Sequence, residues 1–202
     1  MTILATEAAL RDCYDMPNDT VQRKIIPRLD QHAKAFIALS PFVALSTSGP
    51  DGADCSPRGD APGFVHVEND NTLLLPDRRG NNLIDSLRNV VQHPQVGLLF
   101  LVPGINETLR VNGTAKVIAD PARLEPLTAQ GKLPSSALEI TVREVFFHCA
   151  KAMMRSDLWN PEKHVPRSSF PSLGKVIADQ VAGLEVKAVE AVIEEGYRTR
   201  LY

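Results

Sequence analysis

Residues 73–94, LLLPDRRGNNLIDSLRNVVQHP, decide how the rest of the chain is read. Leu73, Leu74 and Leu75 make a short apolar run of strand character. A polar turn with two adjacent arginines follows, and then residues spaced as in a helix. Asn82 stands where an N-cap would, its side-chain oxygen able to accept from a first-turn amide. Asp85, three residues on, is the acidic version of a capping box. Leu83, Leu87, Val90 and Val91 fall on one predicted buried face, and Pro94 disfavours helix at His93. Amides of residues 80–83, the positive end of the helix dipole, Gly80 and the guanidinium groups of Arg78 and Arg79 therefore gather at one place. Such a helix start suits a phosphate dianion, whose oxygens match the forked donors of arginine. The same residues also make an ordinary solvated turn, and local spacing leaves both readings open.

Upstream, residues 42–47 (FVALST) are apolar and β-leaning, and Ser48 to Gly52 (SGPDG) is a turn signal, so a hairpin into residues 53–58 is predicted. Pro57 makes that second strand an edge strand or one broken near the proline. Residues 64–67 (FVHV) lead through a polar turn into the Leu73 strand. Before all of these, helices are predicted over residues 8–14, 21–26 (capped by Asn18, Asp19 or Thr20) and 28–39, with Leu29, Ala33, Phe36 and Ile37 facing inward.

Downstream, residues 95–102 (QVGLLFLV) are apolar almost throughout, as in a central strand buried on both faces. Residues 108–119 alternate, Leu109, Val111, Ala115 and Val117 against Arg110, Asn112, Thr114 and Lys116, which predicts one packed and one polar face. A short helix is expected from Asp120-Pro121 to about Ala129, a strand through Leu138, Ile140 and Val142 to Phe147, and helices over 173–181 and 186–195. Strands joined mostly by hairpins, with one inserted helix, predict a small antiparallel barrel with helices at its edge.

Composition sets wider bounds. A chain of 202 residues with formal charge −2 has no global field for nucleic acid or an acidic membrane, and aromatic residues are few at 5%. No apolar run nears the roughly 20 residues that span a bilayer, and the first residues carry no leader pattern, so a cytoplasmic protein is expected. Cys13, Cys55 and Cys149 are odd in number and widely spaced, which fits reduced thiols and gives no metal spacing.

The stretches SPRGDAPGFVHV, LLLPDRRGNN, LLFLVPGINETLRVNG and FFHCAKA, in this order, resemble the pyridoxamine 5′-phosphate oxidase-like family of FMN-binding split barrels. The likeness covers about residues 37–151 and is closer to the uncharacterised bacterial branch than to the oxidase that makes pyridoxal phosphate. It implies an α+β, mostly antiparallel fold: a six-stranded split β-barrel with flanking helices. Residues 1–202 would form a single domain, with a core of about 37–151 and helical extensions over 1–36 and 152–202. It further implies a homodimer with FMN at the subunit interface, an oxidoreductase activity, and a small-molecule substrate. Carried over residue by residue, Arg78, Arg79, Asn81 and Asn82 would hold the flavin phosphate, with Arg58 adding a contact. Glu107, Thr108 and Arg110 would line the ring. The chain departs from the oxidase in reading Gly80-Asn81-Asn82 where that enzyme has Ser-Arg-Lys, and in ending GYRTRLY without an Arg-x-His motif.

Other residues carry two readings each. His148 could be an acid, a base or a haem ligand, or a hydrogen-bonded structural histidine, so a non-enzymatic flavin or haem carrier is the alternative function, and a deazaflavin is a further cofactor option. His66 points to solvent or to the flavin face. Lys151 and Arg155 could meet a substrate anion or water. Trp159 could stack on a ring or pack under a loop. Cys149 has no base-and-orienter arrangement legible around it and is no nucleophile candidate. No catalytic side chain and no metal ligand is assigned.

Overall fold

A computed structural model describes residues 3–202. Helices α1 (Glu7–Arg11), α2 (Asp19–Arg23) and α3 (Gln31–Leu39) each start at a side-chain cap, with Thr6, Asn18 and Asp30 accepting from the amides of Ala9, Val21 and Ala33. The first two are shorter than their sequence spacing predicted and bury nothing, whereas α3 buries Ala33, Phe36 and Ile37. Strands β1 (Phe42–Gly49), β2 (Gly52–Gly59), β3 (His66–Asn69) and β4 (Thr72–Asp77) precede α4 (Asp85–Gln92). Then come β5 (Gln95–Leu101), β6 (Thr108–Ile118), α5 (Pro121–Leu124) with a 3-10 turn over 125–127, β7 (Ser136–His148), α6 (Lys151–Ser156), α7 (Leu173–Gln180) and α8 (Val186–Thr199).

All pairings are antiparallel, in the order β2-β1-β5-β6-β7-β4-β3. The fold is the α+β split-barrel class expected. The sheet has seven strands where six were implied, and it is left open between the edges β2 and β3. Pro57 lies in an edge strand, as its missing N–H requires.

One face of the sheet makes the core. Val43 and Leu45 of β1, Leu98 and Phe100 of β5, Leu109 and Val111 of β6, Ile140 of β7, and Leu73 and Leu75 of β4 join Phe36 and Ile37 of α3 and Val90 of α4 in a single buried cluster. Leu74 points the other way, into a second cluster with Leu124, Leu127 and Ala137. That is why β4 reads as an unbroken apolar run: α5 and its 3-10 turn cover its second face. In β5 the expectation of two buried faces is corrected. Val96, Leu98 and Phe100 are buried, while Gly97, Leu99 and Leu101 are only partly covered. Among the described residues no helix is long and apolar enough to cross a membrane.

Candidate functional site

The turn between β4 and α4 does not follow the predicted cap. Helix α4 begins at Asp85, two residues later than expected, and its N-cap position is Ile84, in left-handed geometry with no side-chain cap bond. Asn82 is also left-handed, at φ 62°, and so cannot serve as an extended N-cap. The amide of Leu83 is satisfied by Asn81 Oδ1 at 3.0 Å. Of residues 80–83, Leu83 has its amide taken up in this way, and the first turn of α4, which has no side-chain cap, adds free amides of its own. Leu83 and Val91, expected to be buried, are 60% and 75% exposed.

A polar network fixes the helix instead. Ser86, in its first turn, is buried; its Oγ lies 2.9 Å from Ser56 Oγ and donates to Asp54 Oδ2 at 3.3 Å. Arg58 Nη1 donates to the same Ser56 Oγ at 2.9 Å. One turn on, Asn89 Nδ2 donates to Thr47 Oγ1 at 3.0 Å. Ser56, Ser86 and Asn89 carry no local signal of this role; they read in sequence as ordinary polar positions.

The two adjacent arginines diverge. Arg78 turns back, its Nε donating to Asp60 Oδ2 at 2.7 Å and its Nη1 to the Leu127 carbonyl at 2.8 Å, so only 19% of its side chain is exposed. Arg79, Gly80, Asn81 and Asn82 are exposed at the mouth of the helix. Arg58 reaches the same helix through Ser56. Nearby Asp77 has its carboxyl pushed up by burial, with the charge of Arg58 pulling the other way. Behind the helix, a polar cleft of about 360 Å³ is bordered by Asp51, Asp54, Asp85, Arg88 and Asn89; three carboxylates make it a poor host for a phosphate.

Thr108 and Arg110 lie elsewhere. Cross-strand partners share a face, and Arg58 is in register with Val43, Phe100 and Leu109, the core face. Arg110 is in register with Leu99 and Phe146, and Thr108 with His148, on the opposite face. Along the shared sheet the two arginines are three strand spacings apart, about 14 Å. Arg110 lies over the Phe146 ring at 5.4 Å, with Lys24 at 5.8 Å from the same centroid. Glu107 is exposed just before β6. Of the eight expected ligand residues, four (Arg58, Arg79, Asn81 and Asn82) lie toward the start of α4, Arg78 is turned back behind the turn, and three lie at the head of β6.

His148 joins the second group. Its Nε2 is closed off from solvent and has no hydrogen-bond partner. Burial first, then the charges of Arg110 and Lys24, hold its pKa down. This Nε2 is therefore not engaged in the hydrogen bond expected of a structural histidine. Trp159 has a packing role, its Nε1 donating to the Ile105 carbonyl at 3.0 Å and pinning the loop before Glu107. His66 is half-buried, while Lys151 and Arg155 are exposed. All three cysteines are free and exposed, and no described group of side chains could hold a metal ion.

Comparison with known proteins gives a family. The family described as pyridoxamine 5′-phosphate oxidase matches residues 29–149, more than half of the chain. Among curated proteins no match was found. Similar solved structures include HupZ of Group A Streptococcus (18% identity, 59% of this chain and 93% of that one, TM-score 0.49). An FMN-binding protein of Syntrophomonas wolfei is another (12%, 58% and 84%, TM-score 0.46). A third is a Clostridium acetobutylicum protein related to general stress protein 26 of B. subtilis (15%, 58% and 85%, TM-score 0.42). At these identities and TM-scores they carry no function across.

Proposed function

Because this chain belongs to the pyridoxamine 5′-phosphate oxidase family, we propose that it binds FMN and acts as a flavin-dependent oxidoreductase on a small molecule. Residues 1–202 form one flavin-binding unit in this reading. The observation that carries it is the uncapped start of α4, flanked by exposed Arg79 and by Arg58, which is held against Ser56, itself paired with Ser86. The donor set fits a phosphate: free first-turn amides, two guanidinium groups and the side-chain amides of Asn81 and Asn82. Arg78 supports this turn from behind, through Asp60.

The flavin would supply the electron transfer; the protein supplies binding, orientation and charge. Thr108 and Arg110, with Glu107 beside them, are the ring-lining set, and the cation of Arg110 favours negative charge on a bound ring. Since Arg58 and Arg110 face opposite sides of one sheet, a single flavin meets both sets only if they come from two copies of the chain. That opposite facing supports a homodimer with the cofactor at the subunit interface.

The test is a titration of the purified protein with FMN and with riboflavin, read by flavin fluorescence and absorbance. Stoichiometric FMN binding, tighter than riboflavin binding, is the expected result. No FMN binding overturns the reading, and a preference for a deazaflavin would change the cofactor.

A further inference from the structure

The guanidinium of Arg78 is a meeting point of four distant segments. Asp60, just past β2, accepts from Arg78 Nε at 2.7 Å. Leu127, in the 3-10 turn, accepts from Nη1 at 2.8 Å. Residue 202 is the third partner: the Tyr202 hydroxyl donates to Asp60 Oδ1 at 2.6 Å, and its ring centroid lies 6.0 Å from the guanidinium carbon. Lys132 Nζ holds the backbone carbonyl of Tyr202 at 3.0 Å. The Asp60 side chain is only 4% exposed, and its own neighbouring amide, Ala61 N, donates to Oδ1 at 2.7 Å. A buried carboxylate is tolerable only when its acceptor capacity is filled. Tyr202 thus completes the set of donors that keeps Asp60, and through it Arg78, in place.

We propose that Tyr202 is a positioning residue for the anion-binding turn: by holding Asp60 it fixes Arg78 and the end of β4 from which residues 79–84 depart. The ligand part of this inference rests on the FMN reading above; the mechanical part does not. Residues 79–84 contain two non-glycine positions in left-handed geometry, so their conformation depends on firm anchorage at both ends. Ser86 anchors one end and the Tyr202–Asp60–Arg78 chain the other.

The test uses Tyr202→Phe, which keeps the ring and removes only the hydroxyl. FMN and riboflavin affinities are measured by fluorescence titration, and amide hydrogen exchange is followed over residues 78–84 by mass spectrometry. Expected are an FMN affinity lowered about tenfold, riboflavin affinity within about twofold of the parent, and faster exchange in the turn with β5 to β7 unchanged. Equal weakening of FMN and riboflavin overturns the positioning role, as does an unchanged FMN affinity with unchanged exchange. If the parent protein binds neither flavin, the FMN reading falls and exchange decides alone: faster in the variant upholds the positioning role of Tyr202, identical rates overturn it.

Discussion

Arg78 donates from Nε to Oδ2 of Asp60 at 2.7 Å, and that bond divides two adjacent arginines between two tasks. Arg78 is largely buried with its acid, and Arg79 is exposed. Breaking a buried pair strands its partner's charge and costs about 3 kcal/mol, so Arg78→Ala should lose that much in urea denaturation. Arg79→Ala should leave denaturation unchanged and weaken FMN binding about ten- to hundredfold. Equal stability losses from the two variants would contradict the division.

Asp60 sets a pH dependence. Burial pushes its carboxyl up, but hydrogen bonds from Tyr202, the Ala61 amide and Arg78, with the charge of Arg78, outweigh that and hold it below the usual aspartate value. A folded pKa lower than the unfolded one contributes stability that is present above the unfolded value and lost as pH falls through the folded one. Thermal denaturation between pH 7 and pH 2 should show this acid loss, and Asp60→Asn should show a shallower slope below the ordinary aspartate range.

Opposite facing of Arg58 and Arg110 makes a subunit-mixing prediction. Arg58→Ala and Arg110→Ala, each purified alone, should bind FMN poorly. Co-expressed, they should form mixed dimers with one intact and one doubly impaired site, because in the proposed dimer each site would take Arg58 from one copy and Arg110 from the other. Isolated mixed dimers are expected to bind one flavin per dimer at parental affinity. If both arginines served the same site within one copy, no intact site would appear.

Ile84 sits at φ 52° with its side chain largely in solvent. A β-branched residue there carries strain of about 1–2 kcal/mol, and asparagine tolerates the region far better. Ile84→Asn should therefore raise stability by about 1 kcal/mol in chemical denaturation. Should FMN affinity be kept as well, the strain serves no purpose in binding.

Gly113 lies at the bulge of the β6–β7 ladder, and a Cβ there would stand 2.1 Å from the Thr141 carbonyl oxygen. The neighbour is backbone and cannot yield cheaply. Gly113→Ala should cost about 3 kcal/mol, measurable as a lower denaturation midpoint.

Much of the fold could be read from local pattern. The SGPDG turn between apolar runs predicted the β1–β2 hairpin, and it forms with Gly49 opposite Gly52. The alternation from Leu109 to Val117 predicted which face of β6 is packed. The start of α4 differs from its local pattern because Asn82 and Asp85 have the spacing of a local cap, while Ser86 bonded to Ser56 and Asp54 forms a tertiary anchor. No spacing rule connects residues 30 positions apart.

The sequence by itself determined where strands and helices lie, since hydrophobic period and turn residues act within a few positions along the chain. It also marked residues 78–82 as rich in donors for an anion. Only the tertiary structure decided that Arg78 is bound inward while Arg79 is free, that Arg58 and Arg110 face opposite ways, and that Tyr202 reaches Asp60. The reason is physical: a side chain's partner depends on register and on which segments meet in space, and identical neighbours in sequence carry no record of either.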